Sequence, residues 1–241
     1  LLGRNIESLG KVKKPFARIT YSEAVEILQS GATVNKLEDE MAAEKTELDG
    51  LVGTYADLEK KAAIAKGRGN GDEILDRMNE LRDRMQDLEK DIAAKPEHIR
   101  LAQSFQWGKD LGGSDETIIS KSFDTPVFVT DYPREAKAFY MKRSNTDPRT
   151  VRNMDLLAPE GYGEIIGGSQ REDSLEALTE AIQAKGLKPE DYSWYLDLRK
   201  YGTVPHGGFG MGIERALAWI CGLKHVREVI PFPRTMSRVD L

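Results

Sequence analysis

The stretch Gly207-Gly208-Phe209-Gly210-Met211-Gly212-Ile213-Glu214-Arg215 places glycines at alternate positions and then starts a helix with an acid and a guanidinium. Missing side chains let another surface lie flat against the backbone. A strand of this kind beside a planar ligand, followed by an arginine able to stack or to bind phosphate, suits a nucleotide. Tight packing or a turn is the competing explanation of any glycine-rich run. The run is not a P-loop, because no Gly-Lys-Ser/Thr follows, nor a dinucleotide fingerprint ahead of a parallel strand. His206 lies beside it, and a lone histidine there is expected to hydrogen-bond a turn rather than to catalyse. No nucleophile, base and acid stand together in the pattern seen in hydrolases. Cys221 is the only cysteine, set among Ala218, Trp219 and Ile220, so an intrachain disulfide or a cysteine zinc site is excluded. A reduced, cytoplasmic home is expected.

The 241 residues suffice for one large domain or two small ones. A hydrophobic fraction of 39% and a charged fraction of 31% describe a soluble chain. No apolar run approaches the roughly 20 residues that a membrane-spanning helix needs, so no membrane span is expected. A net charge of -5 argues against a broad basic surface, although a local basic face is compatible with such an average. Leu1 to Ser8 contain neither an initiator Met nor a signal-peptide layout, so the chain is expected to start inside a longer gene product.

The elements that must position the glycine run change character along the chain. Phe16 to Thr20 reads as a short strand, and Ser22 as the N-cap of an amphipathic helix carrying Ala24, Val25, Ile27 and Leu28. From 35 to 95, Leu37, Met41, Glu44, Leu48, Leu51, Tyr55, Leu58, Ala62 and Ala65 alternate in steps of four and three, with Glu44 the one charged residue. After the Gly-rich break 66–72, Ile74, Met78, Leu81, Met85, Leu88 and Ile92 resume the seam. Two helices folding back as an antiparallel coiled-coil hairpin are predicted, with residues 67–71 as the mobile tip. This segment carries an excess of roughly five acids, which makes it a solvated face or a docking arm rather than a contact for phosphates.

After Pro96, runs at Thr117 to Ile119, Pro126 to Thr130, Ala138 to Met141, Thr150 to Leu157 and Gly163 to Ile166 read as strands of an antiparallel sheet. A helix from Ser174 to Lys185 follows, capped by Asp173 or Ser174 and stopped by Gly186. A second core helix from Gly212 to Cys221 is predicted from Ile213, Ala216, Leu217 and Ile220, ending at Gly222. Trp194, Tyr195 and Trp219 read as core residues.

GGFGMGIER resembles motif 3 of the class II aminoacyl-tRNA synthetases, and PFPRT after it resembles their ending. DYPREAKAFYM (Asp131 to Met141), MDLLAPEGYGEIIGGSQRE (Met154 to Glu172) and WYLDLRKYGTVPHGGFG (Trp194 to Gly210) resemble consecutive blocks of asparaginyl-tRNA synthetases, in order. With the opening PFARITYSEAVEIL they cover most of the chain outside the hairpin. The fold class implied is α+β: a class II antiparallel sheet flanked by helices, incomplete because motifs 1 and 2 are not in the chain, with an inserted helical hairpin. The domains expected are 1–34, the start of the catalytic part; 35–95, the hairpin; and 96–241, the carboxy-terminal core with motif 3.

The resemblance implies that Arg215 contacts ATP and that Gly210 and Gly212, with Ile213 and Glu214, form the floor under adenine. Glu164 matches the acid that binds ATP directly and through Mg²⁺, which takes oxygen ligands. Asp155 is a second candidate ligand, or else a strand-end capping acid. Arg171 matches the guanidinium that reads the end of the amino acid, a role suited to its planar fork, and Ser169 and Gln170 would line the same pocket. Geometry alone lets Arg171 accept an amide oxygen or a carboxylate. Arg199 fits the asparagine branch, with a structural ion pair as its alternative. Gly167 stands where related aspartate enzymes place a serine, so no ligand is carried over there.

The activity implied is ATP-dependent activation of asparagine and its transfer to tRNA(Asn), by a homodimer formed through the absent motif 1. Aspartyl-tRNA synthetase and a tRNA-independent asparagine synthetase are the alternatives within the family. A non-catalytic interaction fragment is the alternative outside it.

Overall fold

The computed structural model describes residue 4, residues 6–65 and residues 71–234. The mobile tip expected at 67–71 falls almost wholly outside them. The chain divides into two compact units, Leu1–Leu28 with Phe105–Leu241, and Gln29–Ser104. The helices in chain order are α1 (Glu7–Gly10), α2 (Tyr21–Gln29), α3 (Gly31–Ala65), α4 (Gly71–Gln103), α5 (Gly113–Ser120), α6 (Leu175–Ala184), α7 (Ser193–Lys200) and α8 (Ile213–Cys221). Among the described residues none is long and apolar enough to cross a membrane.

The second unit is the helical one. Arg84 donates to Glu47 at 2.8 Å, Arg82 to the Tyr55 hydroxyl at 2.6 Å, and Lys95 to Glu44. Late residues of α4 therefore meet early residues of α3, so the two helices run antiparallel. Leu37, Met78, Leu81 and Leu88 are buried along the seam. The charged seam residue Glu44 is answered by Lys95, whose side chain is 6% exposed and whose ammonium also lies 3.7 Å from Glu40. The helices run past the 35–95 segment at both ends. α4 continues through Pro96 to Gln103 instead of yielding to strands there. Proline removes one amide and crowds the preceding turn, yet long helices accommodate it with a bend.

The first unit carries a five-stranded sheet in the order β1 (Ala17–Thr20), β2 (Val127–Thr130), β3 (Asn153–Ala158), β4 (Gly163–Gln170), β5 (Gly207–Met211). β2 to β5 pair antiparallel, as read from the sequence, whereas β1 pairs with β2 in parallel. Parallel neighbours need a long crossover, and the whole segment from α2 to α5 supplies it. β3 and β4 are joined by the turn 159–162, where Glu160 and Gly161 take φ of 65° and 89°. Val127, Val129, Leu157 and Ala158 are fully buried, and each large apolar side chain so placed contributes about 1.5–3 kcal/mol relative to exposure.

Local chemistry explains where elements depart from the sequence reading. Thr20, not Ser22, caps α2: its hydroxyl accepts from the Glu23 amide at 3.2 Å while the Glu23 carboxylate accepts from the Thr20 amide at 2.6 Å. This is a Thr-x-x-Glu capping box, and Ser22 instead accepts from the Trp107 indole at 3.0 Å. Thr117 to Ile119 lies in α5, because the Asp115 carboxylate takes the Gly112 amide at 2.9 Å and starts a helix that buries Ile118 and Ile119. Ala138 to Met141 forms turns and a single bridge, Met141 to Arg171. α6 is capped by Ser174, which accepts from the Ala177 amide at 3.1 Å, and ends at Gly186 with φ of 71°. α8 ends at the left-handed Gly222. Its buried residues are Ala216, Ala218 and Trp219, while Ile213, Leu217 and Ile220 are exposed. The helix turns this way because Trp219 packs among Leu156, Ala158 and Ile165. Trp194, read as core, is 66% exposed.

Candidate functional site: one face of the sheet

In a regular strand Glu164 and Arg171, seven residues apart, would point to opposite faces. β4 is not regular. Leu156 pairs with Ile166 and Leu157 with Glu164, which leaves Ile165 as the extra residue of a β-bulge. The bulge turns Glu164 onto the face of Gly167, Ser169 and Arg171. A side chain added at Gly167 would lie 2.4 Å from Glu164 Oε1 and 3.3 Å from Asp155 Oδ1, so both carboxylates converge on this one missing Cβ.

Gly210 pairs with Gly167 and Gly208 with Ser169, which extends the bare patch onto β5. Nothing lies within 4 Å of where a Cβ of Gly210 would stand, whereas one on Gly208 would lie 3.1 Å from the Arg171 guanidinium. The strand's glycines thus do two different things. Gly210 opens a flat surface, and Gly208 lets Arg171 lie across the backbone. Arg171 is held there by Ser169 Oγ, to which it donates, and by the Tyr140 ring 4.6 Å away.

Arg215 reaches from α8 to β4, donating to the Glu164 carbonyl at 2.9 Å, with a side chain 52% exposed. Gly212 lies against the aliphatic stem of Arg215, and the Gly212 amide donates to the Ile165 carbonyl at 2.9 Å. Ile213 and Glu214, in the first turn of α8, are exposed.

Three acids meet at this end of the face. Glu164, Asp155 and Glu116 all have carboxyls pushed above the ordinary range, burial being the largest cause for each. For Glu164 the neighbouring Asp155 charge adds to the effect. For Asp155 the opposing pull comes from Lys137, whose ammonium lies 3.1 Å from Oδ2 and 2.9 Å from Asp110. Burial works against that ammonium, but the two aspartates outweigh it and hold its pKa above the usual range. Lys137 also sits 4.0 Å over the Tyr132 ring. The Tyr132 hydroxyl is pushed far up, by burial first and by Asp155 second.

The structure separates some residues that sequence reasoning grouped. Ser169 and Gln170 both border the cleft beside Gly207 and Gly208, but the pleat points their side chains to opposite faces, and the Gln170 side-chain oxygen accepts from Arg152 at 3.0 Å. Arg199 is buried and bonded to the Glu172 carbonyl at 2.9 Å, the Tyr195 carbonyl at 3.3 Å and the Tyr195 hydroxyl at 3.0 Å. Arg199 thus clamps the backbone next to Arg171, and its partners are carbonyls, the Tyr195 hydroxyl and His206 Nε2 at 3.5 Å rather than the acid of an ion pair. Asp155 is a buried partner of Lys137 rather than a strand-end cap. His206 hydrogen-bonds the Val204 carbonyl through Nδ1 at 2.8 Å, which makes Nδ1 the protonated nitrogen.

Lys137 and Glu116 were missed. Lys137 stood inside the DYPREAKAFYM block, where its sequence neighbours Arg134 and Glu135 do not point to Asp155 or Asp110, and Glu116 stood just ahead of the run 117–119 read as a strand. Among the described residues no group of three or more His, Cys, Asp or Glu side chains is arranged to hold a metal by itself. The oxygen donors nevertheless suit a hard divalent cation whose remaining ligands come from phosphate and water, the usual manner of Mg²⁺.

With the geometry in hand, the likeness to known proteins is specific. Residues 2–236 match the family described as tRNA synthetases class II (D, K and N). The asparagine–tRNA ligase of Sorangium cellulosum (strain So ce56) is 45% identical over 240 residues, covering 100% of this chain and 41% of that protein. The asparagine–tRNA ligase of Thermococcus kodakarensis is 57% identical over 136 residues, 56% of this chain and 32% of its own. Among solved structures, the asparaginyl-tRNA synthetase of Pyrococcus horikoshii complexed with asparaginyl-adenylate superposes with a TM-score of 0.66 at 36% identity, over 99% of this chain and 39% of that one. The chain thus spans about two-fifths of the length of the first of these relatives, and it belongs to the class II tRNA synthetases of the D, K and N group.

Proposed function

We propose that the whole protein activates asparagine with ATP and ligates it to tRNA(Asn), and that this chain supplies the part of the site that holds both small substrates. The observation that carries the reading is the single face on which the bulge at Ile165 gathers Glu164, Gly167, Ser169 and Arg171 opposite Gly208 and Gly210. Relatives that match along the whole chain are asparagine–tRNA ligases, and a superposable structure holds asparaginyl-adenylate.

In this reading Arg171, propped by Ser169 and stacked on Tyr140, presents its guanidinium to the amide end of asparagine. Gly210, Gly212 and the first turn of α8 at Ile213 and Glu214 form the floor for adenine, and Arg215 lies at its edge to meet phosphate. Glu164 faces the phosphates directly and through Mg²⁺, with Asp155 the second, inner carboxylate. When bound, Mg²⁺ neutralises phosphate charge and orients the groups that react. The chain's own contribution is placement and charge: it holds the asparagine carboxylate near the α-phosphate and surrounds the developing charge with fixed donors. Homodimerisation, contact with tRNA(Asn) and a cytoplasmic home complete the proposal.

Asparagine-dependent exchange of pyrophosphate with ATP by the full-length protein is the test. Exchange that requires aspartate would assign the aspartyl activity. Amide formation from aspartate and ammonia without tRNA would assign asparagine synthesis. No exchange with any amino acid would leave only an interaction role. Arg171→Ala should weaken activation by on the order of 2–4 kcal/mol, because an amide would be left unpaired in the pocket. ATP affinity should change little in that variant.

A further inference from the structure

At the point where β5 stops, β4 loses a ladder partner. Met211 pairs with Ile166, and the Gly212 amide takes the Ile165 carbonyl at 2.9 Å. The peptide groups of Glu164 are met by side chains instead of a strand. Its amide donates to Glu116 Oε2 at 3.0 Å, and its carbonyl accepts from Arg215 Nη1 at 2.9 Å. Arg215 Nη1 in turn lies 4.0 Å from Glu116 Oε2. Gly163, at φ 68°, brings its backbone so close to Glu116 that a Cβ there would stand 2.8 Å from Oε2. One α5 carboxylate, 13% exposed, therefore grips the amide of Glu164 and faces the guanidinium that grips the carbonyl of Glu164.

We propose that Glu116 is a positioning residue for the nucleotide end of the site, setting through one carboxylate both the direction of the Glu164 side chain and the reach of Arg215. A backbone carbonyl alone leaves a half-exposed arginine free to swing, whereas a carbonyl together with a facing carboxylate narrows it to one orientation. Without Glu116 the Glu164 amide has no partner at the bulge, and the peptide can rotate to find water. Arg171 lies at the other end of the face and has its own supports, Ser169 and Tyr140, so the amino-acid end does not depend on Glu116. The inference rests on the assignment of Glu164 and Arg215 to ATP.

The experiment uses the full-length protein as wild type, Glu116→Ala and Glu116→Gln, with ATP and asparagine affinities measured separately by calorimetry, exchange kinetics, and thermal melting. Glu116→Ala should weaken ATP by about tenfold or more, the equivalent of one charge-assisted hydrogen bond. Asparagine affinity should stay within about twofold, beneath the effect of a single hydrogen bond. Glu116→Gln keeps an oxygen acceptor for the Glu164 amide and should recover most of the ATP affinity. Equal losses for both ligands in step with a lowered Tm, or an alanine variant that binds ATP like wild type, would overturn the role. Wild type that binds ATP yet shows no asparagine-dependent exchange would refute the assigned substrate while the ATP comparison still decides Glu116. Wild type that binds no ATP would remove both.

Discussion

Gly167→Ala separates the chemistry of the site from its stability. The added Cβ would lie 2.4 Å from Glu164 Oε1, where ordinary contact begins at 3.4 Å, so that oxygen must retreat by about 1 Å. Asp155 Oδ1, at 3.3 Å, needs to give only slightly. Glu164 is the far end of a flexible side chain, so the fold absorbs the change, and replacing a strand glycine gains about 0.5–1 kcal/mol from a stiffer unfolded chain. The reacting geometry has no such slack, because a misplacement of about 1 Å costs on the order of 100-fold in rate. The full-length variant should therefore melt at or slightly above the wild-type temperature while asparagine-dependent ATP–pyrophosphate exchange falls about 100-fold. The asparagine KM should hold. Wild-type exchange would show that the Glu164 carboxylate does not act where the two acids converge. A Tm that falls in parallel with the rate would show that the gap at Gly167 serves packing instead.

Three further outcomes follow from the same geometry. Gly210→Ala meets no atom within 4 Å, so melting should be unchanged while calorimetric ATP affinity drops by about tenfold as the methyl lifts the base; unchanged affinity would remove the flat floor. Lys95→Ala leaves the half-buried Glu44 without its ammonium partner and should lower stability in urea by more than about 1 kcal/mol, the worth of a surface pair, whereas the pair Glu44→Leu with Lys95→Met should restore most of it; a single variant within that margin of wild type would mean that the ion pair is solvated. Because Asp155, Glu116 and Glu164 have raised carboxyl pKa values in the fold, they bind protons more tightly folded than unfolded. Their stabilisation is present below the unfolded values of 3.8 to 4.5 and is lost as pH rises through the folded ones. Subtracting the melting curve of Glu164→Gln from that of wild type should give a difference that moves against wild type with rising pH, and a flat difference would refute the burial of that charge.

The helix signals were legible because each is complete within a few residues. Ser174 and Gly186 bound α6, Gly222 closes α8, and the four-three seam made α3 and α4 partners, since caps and periodic apolar faces act at short range. The motif blocks likewise singled out Arg171, Glu164 and Arg215. Tertiary structure alone decided how those three are arranged. Strand alternation counted from Glu164 sends Arg171 to the wrong face, and the bulge that corrects it exists only through the register with β3. The parallel pairing of β1 depends on a crossover about a hundred residues long, which no local pattern encodes. Whether a charge is a ligand, a clamp or a counter-ion depends on what arrives from far along the chain: Glu172 and Tyr195 for Arg199, Lys137 for Asp155, Lys95 for Glu44. A side chain's type states what it can bond, and only the fold settles whether that capacity is spent inside the protein or left for a substrate.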